Sequence, residues 1–374
     1  MKLKVLKKDE LLNRLAIIVG TRPGIIKFAS IIKCLISFKI NPIIIHTSQH
    51  YSYELDEIFF EDLGLPKPQH RIIETKNAFY HGEQTAEMLL GIEKVLLKEK
   101  PKVVMVGGDA NTNLAGALAA RKLGIDLIHL EAGLRSNDWK MPEEHNRVMI
   151  DHISEVLLAP TTQAVENLKS EGIKGKIFLV GNVISDAVIE NKPIAEKKSK
   201  ILEEVGVKAN QYLLITLHRE ENVDNSMVLR SIHNSIINLA ENFSLPIIFP
   251  IHPRTANRLK DFNLSFDNKK IKIIKPVGYF DFLHLLSNCK VVLTDSGGIQ
   301  EEACILGIPC LTIRENTERP ETVLVGANKI VGYDSQKILK ETKTSIENTK
   351  RWDNPYGDDV AKKIVKVIQD EFDI

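Results

Sequence analysis

The stretch VVLTDSGGIQEEACILGIPCLTI, residues 291–313, decides the fold class. A short β-branched run, VVLT, halts at Ser296, Gly297 and Gly298; a helix-forming segment follows, and then a second apolar run, CLTI, from Cys310. Strand, glycine turn, helix and strand in this order form the unit from which parallel sheets are built. The turn sets backbone N–H groups and the Ser296 hydroxyl at the amino end of the helix, where aligned peptide dipoles favour an anion. Glu302, one turn further in, lies too deep to cap the helix and suits the hydroxyls of a ribose better than a phosphate.

The same rhythm runs through the whole chain. The first half offers LAIIV from Leu15, PIIIH from Pro42, VVMV from Val103, LIHL from Leu127, VLLA from Val156 and IFLV from Ile177. The second half restarts with YLLIT from Tyr212, PIIFP from Pro246 and IKIIK from Ile271. Amphipathic segments such as IKFASIIKCLISF and EQTAEMLLGIEKVLLKEK lie between these runs, so the expectation is α/β, with two Rossmann-like, doubly wound domains. At a soft prior of roughly 150 residues per domain, the length also suits two. The charged segment ENKPIAEKKSKILEEVG from Glu190 places the boundary near residue 185. The expected domains are residues 1–185 and 186–355, with a C-terminal helix over 356–374 packing back on the first.

Composition narrows the partners. The 50 basic and 49 acidic side chains nearly cancel, which argues against nucleic acid and membrane surfaces as partners and makes any anion site local. Cys34, Cys289, Cys304 and Cys310 form no CxxC pair and sit in or beside apolar runs, as buried thiols in a reducing compartment do. No run approaches the roughly 20 apolar residues of a membrane span, and MKLKVLKKDELLNR lacks the apolar core of a signal peptide. A cytoplasmic protein is expected. No metal centre is expected either: HExxH is absent, and His145 and His152 suit helix faces. The dinucleotide fingerprint GxGxxG is also missing, which weakens any case for bound NAD.

In open α/β sheets, ligands gather beyond the carboxyl ends of the strands. After the first strand, GTRPGIIK supplies a turn at Gly20 and the cations Arg22 and Lys27. After VVMV, GGDANTN sets Asp109 at a helix entrance, where an Asp is most often a cap. After LIHL, EAGLRS contributes Glu131 and Arg135, and PEEHNRVMIDH adds Glu143, Glu144 and Arg147. Glu143 and Arg147 have the i,i+4 spacing of a helical ion pair. Asp109, Glu131 and Glu143 are expected to converge, and clustered acids raise one another's affinity for protons. In the second half, LHREEN puts His218 and Arg219 at a strand end, and HPRT from His252 follows the next strand.

Taken in order, GTRPGIIK, GDANT, EAGLR, PEEHNR, LHREEN, TDSGGIQEE and TERPE resemble the non-hydrolysing UDP-N-acetylglucosamine 2-epimerases from Ala16 to about Asp334. The resemblance implies a glycosyltransferase B fold with two domains facing a cleft, the nucleotide held mainly by the second domain, a homodimer and no cofactor. By resemblance, Arg22, Ser296, Gly297 and Gly298 hold the diphosphate with His218 nearby. Glu302 takes the ribose, Phe282 lies beside the uracil, and Lys27, Arg147 and Arg319 line the site. Asp109, Glu131, Glu143 and His218 match catalytic positions. The implied reaction expels UDP from carbon 1, removes the carbon 2 proton to leave a 2-acetamidoglucal, and returns UDP after reprotonation on the other face. A role in polysaccharide biosynthesis goes with it.

Departures from the family pattern are local. Gly24 stands where Glu is common, and Ala110 and Asn111 replace threonines. QHYSYEL from Gln49 stands where many bacterial members have QHREML, part of a second, activating substrate site, so the resemblance leaves activation by substrate open here, and His50 reads as structural. Other readings of the same residues are a relative acting on UDP-2,3-diacetamido-2,3-dideoxyglucuronate, a hydrolysing epimerase, a glycosyltransferase of this fold and a regulatory UDP-sugar-binding protein.

Overall fold

All strand pairing among the described residues is parallel. The structure, a computed structural model, describes residues 14–48, 59–72, 80–347 and 351–374. The QHYSYEL stretch and His50 fall outside the described residues.

The chain divides into two compact units, residues Met1–Ala187 with Tyr356–Ile374, and residues Val188–Pro355. In the first unit a seven-stranded sheet contains β1 (Leu15–Val19), β2 (Ile43–His46), β3 (His70–Arg71), β4 (Val103–Gly107), β5 (Asp126–Leu130), β6 (Val156–Ala159) and β7 (Lys176–Leu179). Its order is β3-β2-β1-β4-β5-β6-β7. In the second unit a six-stranded sheet contains β8 (Leu213–Thr216), β9 (Ile247–Pro250), β10 (Ile271–Ile274), β11 (Val291–Thr294), β12 (Cys310–Thr312) and β13 (Asn328–Ile330). Its order, β10-β9-β8-β11-β12-β13, repeats the same winding.

The apolar runs form strands because both faces of a parallel sheet are covered by its crossover helices. Every residue of β1, β4 and β11 is buried. In the first unit, Ile18, Val104 and Val106 pack against Leu114, Ala115 and Ala117 of helix Asn111–Lys122 and against Met88 and Ile92 of helix His81–Glu99. In the second, Leu213, Ile215 and Leu293 meet Leu229, Ile232 and Ile236 of helix Ser226–Asn242. Two edge strands escaped the sequence pattern. The β3 segment is only His70–Arg71, and β13 is Asn-Lys-Ile; each is made a strand by its pairing with β2 or β12.

The unit boundary lies inside helix Ile184–Lys198, which carries Pro193 in its interior. The last helix, Val360–Phe372, belongs to the first unit and packs against helix Arg22–Ser37. Its buried stripe is Val360, Ile364, Val365, Ile368 and Phe372. Its own N-cap residue, Asp359, makes no side-chain capping bond. The Asp186 carboxylate caps it instead, accepting from Val360 N at 3.2 Å and Ala361 N at 2.6 Å. Asn182 N donates to the Tyr356 carbonyl at 2.9 Å and fixes the returning chain beside it.

Replacing Asp186 by Ala removes this cap at a cost of about 1 kcal/mol. Amide exchange over residues 360–372 should then accelerate roughly fivefold, with the second unit unchanged, a pattern that hydrogen-exchange mass spectrometry resolves.

Candidate functional site

Each sheet reverses its order of strand addition once, between β1 and β4 in the first unit and between β8 and β11 in the second. Loops diverge at such switch points and leave the carboxyl ends of the strands open. Most of the residues singled out in the sequence stand there, or in the loop and helix after β5; Phe282 and Arg319 follow β10 and β12.

In the first unit, Glu131 follows β5 directly. It is 5% exposed and has a φ of 64°, the left-handed region that a side chain disfavours. Its Oε2 accepts from Lys27 Nζ, which reaches across from helix Arg22–Ser37, at 2.5 Å. Its Oε1 is buried without a hydrogen-bond partner. Gly108 stands beside this pair at φ 86°, a backbone conformation that side chains rarely adopt.

Asp109 does not cap the following helix. Ala110 occupies the N-cap position, with no side-chain capping bond. Asp109 Oδ2 accepts instead from Arg147 Nη2 at 2.5 Å. The expected Glu143–Arg147 ion pair is also absent: Arg147 Nε donates to the Glu143 carbonyl oxygen at 3.3 Å and lies 3.3 Å from the Glu144 carboxylate. The acids Asp109 and Glu131 are therefore each met by a cation, not by one another. Glu143, in the first turn of helix Pro142–Ile153, is half-buried and makes no ion pair with the described residues. Arg22 is exposed at the first position of its helix, where the Thr21 hydroxyl caps Gly24 N at 3.2 Å.

Several residues that support this group were given no such role from the sequence. Buried Glu144 accepts from Ser136 N and Oγ, both at 3.0 Å, and from Asn137 N at 3.1 Å, fixing the loop after β5. Asn146 Nδ2 donates to the Asp109 carbonyl at 2.8 Å and to Asn111 Oδ1 at 3.1 Å. The Asn111 amide in turn meets His81 Nδ1 at 3.0 Å. The two amides sit in GDANT and PEEHNR, and only their proximity in space gives them this role.

In the second unit, helix Gly297–Leu306 starts at Ser296, whose side chain makes no capping bond. The first-turn N–H groups are thus not taken by a cap. A Cβ on Gly297 would lie 2.8 Å from Glu318 Oε1, so bare backbone is needed at this point. Glu318 accepts from Arg314 Nη1 at 2.6 Å and from Arg219 Nη2 at 3.2 Å. Burial alone would raise its pKa, but Arg319, Arg314 and Arg219 hold it down at about 2. Arg319 is itself engaged, with Nε 2.7 Å from the buried Glu301 carboxylate. The helix start is therefore bordered by arginines already set in place.

His218 follows β8 and is oriented by Asp295, which sequence reasoning passed over although it stands directly before Ser296. Asp295 is fully buried, and its carboxylate meets His218 Nδ1 at 2.9 Å, the N–H groups of His218 and Arg219 at 3.0 Å, and Asn222 Nδ2 at 3.1 Å. Burial opposes ionisation of Asp295, yet the bond and charge of His218 and the amide donors outweigh it and hold its pKa below the usual range. Nδ1 of His218 is thereby the donor to Asp295, and Nε2 is the nitrogen left for a ligand. The His252 ring lies 5.9 Å from that of His218, and its pKa is lowered by burial and then by His218. Its Nδ1 accepts from Arg254 N at 3.2 Å and caps the next helix.

Glu302 is pushed up to about 8, first by burial and then by the neighbouring Glu301 carboxylate. Near neutrality it holds its proton, so it can donate to one hydroxyl and accept from another. Phe282, on helix Tyr279–Asn288, is partly buried against the cluster that contains Leu285, Leu286 and Val292. Among the described residues, no group of three or more His, Cys, Asp or Glu side chains is arranged to hold a metal ion.

Comparison with known proteins gives the same picture over the whole length. A family profile described as UDP-N-acetylglucosamine 2-epimerase matches residues 36–369. The UDP-N-acetylglucosamine 2-epimerase of Methanocaldococcus jannaschii is 53% identical over 363 residues, covering 95% of this chain and 98% of the relative. Its crystal structure, in complex with UDP-GlcNAc and UDP, superposes with a TM-score of 0.86 over 96% of this chain and 99% of that one. The UDP-2,3-diacetamido-2,3-dideoxy-D-glucuronate 2-epimerase of Pseudomonas aeruginosa is 41% identical over 336 residues, covering 89% of this chain and 92% of the relative.

The raised pKa of Glu302 has a sign that a stability measurement reads. An acid whose folded pKa lies above its unfolded value stabilises the fold at low pH, and that contribution is lost as pH rises from about 4.5 to about 8. A Glu302→Gln variant does not titrate, so its melting temperature should gain on the native protein across that window and run parallel to it above. A pH-independent difference would show that Glu302 ionises normally.

Proposed function

The chain belongs to the UDP-N-acetylglucosamine 2-epimerase family, and from that premise we propose that it interconverts UDP-N-acetylglucosamine and UDP-N-acetylmannosamine. The observation that carries the chemistry is Glu131: a buried carboxylate beyond a strand end, with one oxygen on Lys27 and the other without a partner. A group transfer uses its base on the acceptor hydroxyl, whereas an epimerisation needs one that takes a proton from the sugar itself.

Carbon 2 of the sugar has no carbonyl beside it, so its proton is too weakly acidic to be removed alone. The reaction therefore breaks the carbon 1–oxygen bond, with the electron pair leaving on UDP, and takes the carbon 2 proton onto a base. A carbon 1–carbon 2 double bond, the 2-acetamidoglucal, remains. Protonation of carbon 2 on its other face and return of UDP to carbon 1 complete the inversion. Two opposite faces call for two proton-transfer groups, and Glu131 and Asp109 take these roles. Lys27 and Arg147 hold them in place, and Glu143 orients the sugar.

The second unit receives the leaving group. The N–H groups of Gly297 and Gly298 and the Ser296 hydroxyl meet the diphosphate at the helix start, with Arg22 and Arg319 adding positive charge where negative charge develops. His218, aimed by Asp295, stabilises or protonates the diphosphate through Nε2. Glu302 takes the ribose hydroxyls, and Phe282 lies beside the uracil.

The protein acts as a homodimer in this reading. Helix His81–Glu99 presents Leu90 and Leu97, seven residues apart on one face and 54% and 56% exposed, with Tyr80 at its start 72% exposed; this apolar strip supports pairing with a second copy. Its four cysteines form no disulfide, which fits the reducing cytoplasm, where the product would feed polysaccharide assembly.

Proton NMR with UDP-N-acetylglucosamine in D2O, without acceptor or added nucleotide cofactor, tests the reaction. The expected outcome is a mixture with UDP-N-acetylmannosamine carrying deuterium at carbon 2. Free sugar with UDP would assign hydrolysis instead, and an unchanged sugar would move the substrate to the diacetamido glucuronate. Asp109→Asn should lower kcat by about 100-fold or more, and full activity in that variant would remove Asp109 from the scheme.

A further inference from the structure

One buried carboxylate gathers three residues that flank Glu131. Asp151, fully enclosed on helix Pro142–Ile153, accepts from His129 Nδ1 at 2.6 Å, from Gly133 N at 3.1 Å and from Arg135 Nη1 at 2.8 Å. These donors stand two residues before, two after and four after Glu131. A non-glycine residue at φ 64° persists only where its surroundings leave it no alternative, and here both flanks are tied to the same group.

His129 also reaches in the other direction. Its Nε2 lies 3.2 Å from the carbonyl oxygen of Gly108, the residue before Asp109. Asp151 stays ionised: burial opposes this, but His129 and then Arg135 hold its pKa below the usual range. An ionised carboxylate only accepts, so His129 Nδ1 is the donor to Asp151 and Nε2 is the nitrogen that faces the Gly108 carbonyl; one ring spans the two segments. Arg135 continues the line, bonding Glu171 through Nε at 2.7 Å and Nη2 at 2.6 Å. Asp151, Arg135 and Glu171 alternate in sign, so each of these charges is offset by its neighbour.

We infer that Asp151 is the positioning residue of the proton-transfer site: it locks Glu131 in its left-handed conformation from both flanks and, through His129, fixes the peptide that carries Asp109. The inference rests on the roles given above to Glu131 and Asp109, and adds a residue that touches neither sugar nor UDP.

Asp151→Asn keeps the shape but turns one acceptor into a donor facing a cation. Its kcat should fall roughly 10- to 100-fold, with KM and the Kd for UDP unchanged. In a Glu131→Gln background the same change should cost clearly less than it does alone, because the part of its effect that runs through Glu131 is already lost. Losses that multiply in the double variant, or a weakened Kd for UDP, would mark a merely structural role and overturn the inference.

Since removing a buried charge can prevent folding, the native protein supplies a second test. With 15N-labelled histidine, one ring should show an Nδ1 proton in slow exchange with water and shifted downfield by its short bond to a carboxylate. Absence of such a ring overturns the clamp. Deuterium exchange at carbon 2 by the native protein is measured first: failure there, with that ring proton present, counts against the epimerase reading and not against the clamp.

Discussion

Parallel pairing is the constraint on which the rest of the molecule depends. Parallel strands cannot be joined by a tight turn; each needs a crossover, and the crossovers here are helices on both faces of the sheets. Every strand of a sheet then ends on the same edge, and the loops at that edge are the places where a side chain is both held by a rigid element and open to a ligand. The reversal of order at β1/β4 and at β8/β11 separates neighbouring loops at one position in each sheet. Glu131, Asp109, His218 and Ser296 all follow strands, and the fold leaves few other places for polar groups to be ordered without a covering helix.

This constraint explains what could be read from the sequence. A strand buried on both faces is a nearly unbroken apolar run, so LAIIV, VVMV and VVLT were legible by composition alone. The strands His70–Arg71 and Asn328–Ile330 carry no such signal, because their identity comes from a partner strand. The site divides in the same way. Residue types at strand ends were legible, but their partners were not: Arg147 chooses Asp109, 38 positions away, over the neighbour at i−4. Helical spacing states which side chains are able to meet, while the loop geometry after β4 and β5 decides which do. Asn111, standing where threonine is usual, joins a chain of amides to Asn146 and His81 that no local pattern announces.

Acids in the interior are mostly met by a basic side chain. Lys27 faces Glu131, His218 faces Asp295, and Glu318 draws Arg219 and Arg314 together. In a low-dielectric interior an isolated charge is costly, and a partner offsets that cost. These pairs also hold the groups in position before any ligand arrives, which removes reorganisation from the reaction itself. Glu302 is the exception: with another carboxylate as its neighbour it is driven toward the protonated form.

The return of helix Val360–Phe372 to the first unit has a consequence for how the chain is made. The second unit, Val188–Pro355, is an insertion within the first. During synthesis the inserted unit emerges whole and can fold while the first still lacks its last helix. The Asp186 carboxylate, exposed early on the ribosome, awaits amide groups that are synthesised about 175 residues later. The unit that starts to emerge before the insertion is completed after it, and closing it joins segments far apart in the chain, a step that a folded insertion shortens by bringing its own two ends to fixed positions.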